Sequence, residues 1–177
     1  MIEALAATAS LRSTPEGAEW LRAQLGALGD TFHAAFGAAA RRIGQAPITR
    51  EDAARITAAG LTVPAGMGAD ECARGALVLA AVWAMPPDEH VELVRGLLRR
   101  GDARERSAVL RVFAGLPDPA RFSDLAAEAI RTTVPSVLEA IACDNDYPAR
   151  WFADDQFDHM LEQATAYRLA LGRIRRH

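Results

Sequence analysis

The 177-residue chain carries a formal net charge of −3 and half of its residues are apolar, which suffices for a substantial core and argues against a mainly disordered chain. So weak a net charge supplies no long-range attraction to polyanions, and no nucleic-acid partner is expected. Cys72 and Cys143 stand far apart without CxxC or Cys/His ligand spacing, so neither a disulfide framework nor a structural zinc is expected.

The start, Met1-Ile2-Glu3-Ala4-Leu5-Ala6-Ala7, lacks the basic and continuous apolar regions of a secretory signal, which predicts a cytoplasmic protein. The most apolar run, Ala76 to Met85, is about half the ~20 residues that a membrane-spanning helix needs, and it reads as a buried core helix. All 20 basic residues are arginine. That bias is read as a compositional trait rather than as a binding surface.

In chain order, Ser13-Thr14-Pro15-Glu16 combines a cap, an early-helix proline and a capping-box acid, and Trp20, Leu21, Leu25 and Leu28 follow at helical spacing. After Gly29-Asp30 a second stripe of Phe32, Phe36, Ala39, Ala40 and Ile43 ends before Gly44 and Pro47, predicting a helical hairpin. Thr49 with Asp52 caps a short helix that stops at Gly60. Residues 61–68, with Pro64, Gly66 and Gly68, read as an internal loop rather than a domain linker.

From Asp70 a series of helices is predicted over 71–85, 88–100, 102–116, 119–131 and 134–142. The separators Pro86-Pro87, Gly101-Asp102, Pro117-Asp118-Pro119 and Thr132-Thr133 are short stops or caps, so consecutive helices are expected to pack antiparallel. Each helix carries one apolar stripe, for example Val109, Val112, Phe113 and Leu116. A last helix is predicted over 154–171. The predicted class is all-α, one domain over 1–177, built of antiparallel helix pairs in a HEAT-like right-handed stack or a compact multi-helix bundle.

Polar and aromatic residues concentrate between the last two helices, in Cys143-Asp144-Asn145-Asp146-Tyr147-Pro148-Ala149-Arg150-Trp151-Phe152. Tyr147, Trp151 and Phe152 could line a pocket or anchor the turn to the core. Arg131 could clamp an acid of the 144–146 turn or recognise phosphate, since its fork fits both. Asp154-Asp155-Gln156-Phe157-Asp158 has DDxxD spacing, which puts Asp154, Asp155 and Asp158 on one helix face as candidate Mg²⁺ ligands, or simply supplies acids to a helix start. His159 lies one turn beyond Asp155, the spacing of a candidate catalytic base and its orienting carboxylate. Cys143 as a nucleophile would need a base brought close by the fold, and His33, His90 and His177 have no partner by spacing. Arg173, Arg175 and Arg176 read as cations at the C-terminus of the last helix. Gly66-Met67-Gly68 lacks the context of a phosphate loop.

The run Arg131-Thr132-Thr133-Val134-Pro135-Ser136-Val137-Leu138-Glu139-Ala140-Ile141-Ala142, followed by Asn145, Tyr147-Pro148-Ala149 and Phe152, resembles the signature of the EboA family, and the similarity continues through the Met160-Leu161 helix to about Ile174. Asp146, Phe157 and Asp158-His159 depart from that pattern. The resemblance implies a bacterial accessory protein of a specialised-metabolite pathway, one that handles a compound such as an isoprenoid or cyclitol derivative and whose helical surface binds a pathway protein or a small metabolite. Ligand-binding candidates are Asn145, Tyr147, Arg131 and Trp151. The alternative is a metal-assisted enzyme acting on an isoprenoid or phosphorylated small molecule, with Mg²⁺ on Asp154, Asp155 and Asp158 and with His159 beside it. Homo-oligomerisation stays open under either reading.

Overall fold

The computed structural model describes residues 1–29 and 31–176; Asp30 of the expected hairpin turn and His177 lie outside the described residues. The described residues form eleven α-helices with short 3₁₀ turns and no strand, an all-α chain. They divide into two compact units, Met1–His90 and Val91–His177. The division does not fall in the 61–68 loop.

The first unit contains α1 (Ile2–Leu11), α2 (Pro15–Gly26), α3 (Phe32–Ile43), α4 (Arg50–Ala58) and α5 (Ala69–Ala84). Thr14 caps α2 by accepting from Gly17 N at 3.2 Å, and Pro15 takes the first helical position, where its missing N–H costs nothing. Both α1 and α3 pack on α5, and α2 packs on α3. Being apolar nearly all round, α5 is buried from Ala69 to Leu79. Of its three buried charges, two pair with each other: Arg74 Nη1 lies 2.6 Å from Asp70 Oδ2, and Arg74 Nε donates to the Phe36 carbonyl at 3.1 Å, while the third, Glu71, accepts from Gly68 N at 2.8 Å. No expectation covered α1, because its buried face of Leu5, Thr8 and Ala9 is made of small and polar residues that blur the helical stripe.

Residues 61–68 form a loop as expected, but a buried one. Ile48 N donates to Met67 O and Gly66 N to Ile48 O, both at 2.9 Å, and Pro47 and Gly68 form an antiparallel bridge. These bonds satisfy main-chain groups that burial removes from water, and so permit Leu61, Val63 and Met67 to enter the core. Gly66 turns the loop at φ +90°, a conformation that L side chains rarely adopt.

The second unit holds most of α6 (His90–Arg100), then α7 (Ala103–Arg111), α8 (Ser123–Ala129), α9 (Pro135–Ala142), α10 (Tyr147–Trp151) and α11 (Asp154–Ala166). The expected helix over 102–116 stops at Arg111 and tightens into a 3₁₀ turn at Phe113–Gly115, while the one over 119–131 opens as a 3₁₀ turn, Pro119–Phe122. Asp118, in the left-handed region at φ 48°, precedes that turn. The principal packing joins α7 to α9, so the expected pairing of consecutive helices gives way here to alternate ones. Among the described residues no helix is long and apolar enough to cross a membrane.

Candidate ligand-binding site

The turn between α9 and α11 is held from within. Asn145, only 2 % exposed, donates to the carbonyls of Leu110 and Ala140, both at 3.0 Å, and accepts from Tyr147 N at 2.9 Å. One amide thereby ties α7, α9 and the start of α10 together. Tyr147 is fully buried, its hydroxyl donates to Pro119 O at 2.8 Å, and its ring lies 5.3 Å from Phe113, 5.0 Å from Trp151 and 6.0 Å from Phe152. Burial, with Asp124 adding to it, pushes the phenol well above its ordinary range, so it stays a donor. Trp151 is half-buried against Tyr147. Of the pocket and anchor readings of these aromatics, the contacts are those of an anchor. Tyr147→Phe is expected to lose about 1–2 kcal/mol in urea unfolding, with the ring packing kept and only the Pro119 bond removed.

The acids of this turn do receive an arginine clamp, but it comes from Arg173 and not from Arg131. Arg173 Nε lies 2.7 Å from Asp144 Oδ2 and its Nη1 bonds Glu139 Oε1, while Asp144 N donates to Arg173 O. Arg175 reaches Asp146 Oδ1 at 3.2 Å. The expected helix to 171 ends at Ala166, and Arg168 at φ 56° helps redirect the chain. The tail therefore returns to the turn instead of facing a helix end. With all three side chains about a third exposed, Arg173→Gln is expected to cost only about 1 kcal/mol. That loss should shrink in high salt when urea midpoints are compared.

The acidic start of α11 disperses. Asp154, Asp155 and Asp158 are exposed, and among the described residues no group of three His, Cys, Asp or Glu side chains is arranged to hold a metal ion. Two acids in the first turn suit the positive end of the helix dipole, and Gln156 Oε1 accepts from Ala153 N at 3.0 Å. His159 Nδ1 contacts Glu162 Oε2 at 3.8 Å rather than Asp155. Even so, Asp155 and His159 share one hollow of about 350 Å³ with Arg131, Gln156, Ala127 and Ile130. Cys143 is fully buried, and burial pushes its thiol up against the opposing pull of Arg173, leaving it a poor nucleophile.

A larger cleft, of about 470 Å³, opens among α6, α7, α8 and the start of α9. Its arginines are Arg95 and Arg99 from α6, Arg106 from α7 and Arg131 after α8, opposed within the lining by Glu128 alone. Leu98, Leu110, Leu125, Ala129 and Val137 supply its apolar wall. Arg131 lines both hollows and is the one cleft residue that sequence reasoning singled out as a site candidate. Arg95 and Arg99 are i, i+4 neighbours flanking Leu98, so a basic stripe beside an apolar one was present in the sequence. It was absorbed there into the general arginine bias.

The cleft combines recognition chemistry with little acid–base chemistry. Guanidinium groups keep their protons at neutral pH, so they bind oxyanions but do not shuttle protons. Asn145, Tyr147 and Trp151 line neither hollow.

The family model described as metabolite traffic protein EboA matches residues 3–175, far beyond the 131–174 stretch that carries the motif resemblance. No curated protein and no solved structure matches the chain. With the match running through both compact units, the chain belongs to the EboA family, whose description supports a role in handling a metabolite.

Proposed function

We propose that the protein holds a small metabolite non-covalently in the arginine-rimmed cleft of its second unit, as an accessory protein of a specialised-metabolite pathway. The observation that carries this reading is the cleft itself: about 470 Å³, within the ~300–1,000 Å³ range of small-molecule sites, with an apolar wall and several converging cations. The family description, metabolite traffic, supports the same class of ligand. The extent of the family match supports treating 1–177 as one functional domain. Non-covalent holding agrees with a lining whose polar groups are mostly permanent donors.

Ala129 lines the cleft and is half-buried, so Ala129→Trp places a large ring in the space without cutting into the core. The full-length chain and this variant would be purified from producing cells and their bound small molecules extracted for mass spectrometry. A compound enriched with the wild type and lost from the variant is expected. Equal recovery from both, with the variant folded by circular dichroism, would remove the cleft as the binding site.

A further inference from the structure

Arginines that support this fold are paired with carboxylates. Arg12 and Arg55 bracket Asp52, Arg74 meets Asp70, and Arg173 bridges Glu139 and Asp144. The cleft arginines are not. Among the described residues Arg99, Arg106 and Arg131 have no ion-pair partner, and Arg95 has only a 3.5 Å contact with Glu92, which is itself 80 % exposed. The Nε atoms of Arg95 and Arg106 are buried without a hydrogen-bond acceptor. A buried donor left unpaired is costly, and a turn of either side chain toward an anion in the cleft would give it an acceptor.

The number of donors indicates the kind of anion. One guanidinium fork matches the single charge of a carboxylate and engages both of its oxygens. Four arginines against one glutamate exceed that need, and they suit a phosphate, with three terminal oxygens and close to two charges near neutral pH. The wall formed by Leu98, Leu110, Leu125, Ala129 and Val137 offers a phosphate nothing, and so must face an apolar body.

Resting on the cleft reading above, we infer that its ligand is the phosphate or diphosphate ester of a small apolar alcohol, with the phosphate on Arg95, Arg99, Arg106 and Arg131 and the hydrocarbon on the leucine wall. This excludes simple carboxylates and neutral apolar compounds as preferred ligands. A phospholipid headgroup presents the same chemistry, but a cleft of this volume suits a free small ester.

Calorimetry on the full chain with hexyl phosphate and hexanoate tests the inference, because the two probes share a chain and differ in headgroup. Hexyl phosphate should bind saturably and at least about tenfold more tightly than hexanoate, the factor of one lost charge-assisted hydrogen bond. Arg99 and Arg131 are exposed, so Arg99→Gln/Arg131→Gln should fold normally and weaken hexyl phosphate by about tenfold or more, with a shallower salt dependence. Ala129→Trp should block both probes.

Equal affinities for the two probes, both blocked by Ala129→Trp, would overturn the phosphate inference and leave the cleft reading standing. Binding of hexyl phosphate that neither variant changes would overturn both. No saturable binding of hexyl phosphate would overturn the inference, and the co-purification experiment would still decide the cleft reading separately. Sedimentation with phosphatidic acid vesicles that the double variant abolishes would assign the phosphate to a membrane lipid and overturn the free-ester source.

Discussion

Asn145→Ala is expected to destabilise the protein by about 3–5 kcal/mol, the sum of three lost hydrogen bonds and the buried groups left unpaired. The substitution strips the Leu110 and Ala140 carbonyls of their donor and Tyr147 N of its acceptor, at a position where water has almost no access. Asn145→Asp should do at least as much harm at neutral pH, although it is nearly isosteric, because a carboxylate would face two carbonyl oxygens with no proton to offer. Urea unfolding at pH 7 measures both. A loss below about 1 kcal/mol for the alanine variant would show that the turn does not depend on this amide.

Asp52→Asn is the second large effect, at about 2–3 kcal/mol near neutral pH. Its carboxylate is fully buried and accepts from Thr49 N at 2.9 Å, the Thr49 hydroxyl at 3.0 Å and Arg12 Nε at 2.8 Å, with Arg55 on its other oxygen. Removing one partner of a buried pair costs ~3–5 kcal/mol when the other stays trapped. Arg12 and Arg55 are 34 % and 49 % exposed and can turn to water, which lowers the figure.

This site also gives stability a defined acid dependence. Burial raises the Asp52 pKa, but the bonds from Thr49 and Arg12 outweigh it and hold the carboxyl below its ordinary 3.8. A depressed folded-state pKa stabilises the protein above the unfolded value and ceases to do so as pH falls through the folded one. The Asp52 contribution should therefore be complete above about pH 5 and decline through the acid range below 3.8. Unfolding free energies of wild type and Asp52→Asn, measured across that range, should converge as the pH falls. A constant difference between them would contradict this account.

Local chemistry made much of the first unit legible. Thr14-Pro15 and the reciprocal bonds of Thr49 and Asp52 act within four residues, so the starts of α2 and α4 could be read directly. The stripe from Phe32 to Ile43 is likewise buried as its period requires. The 61–68 loop was readable as a loop, but its burial depends on a bridge to Pro47, a partner that local spacing cannot supply.

The second unit was legible in class and less so in detail. An apolar period shows that a segment is helical, yet it carries no record of which neighbour covers it, and α7 chose α9. Residues 143–152 stand out in the sequence as dense in polar and aromatic side chains, but spacing does not separate an inward anchor from a binding surface. Asn145 and Tyr147 turned inward because the carbonyls of Leu110, Ala140 and Pro119 needed or accepted their protons.

Caps, periods and motifs act over a few residues, and so the all-α class, most helix starts and the family resemblance can be read along the chain. Which charges are satisfied depends on the folded arrangement. Arg173 and Arg131 are chemically identical in the sequence. The chain's return after α11 gives the first two carboxylates, whereas the second lines a cleft with Arg95, Arg99 and Arg106 and has no ion-pair partner among the described residues. Charge pairing is a property of distance in space, and residues 25 or more positions apart have no fixed distance until the fold is made.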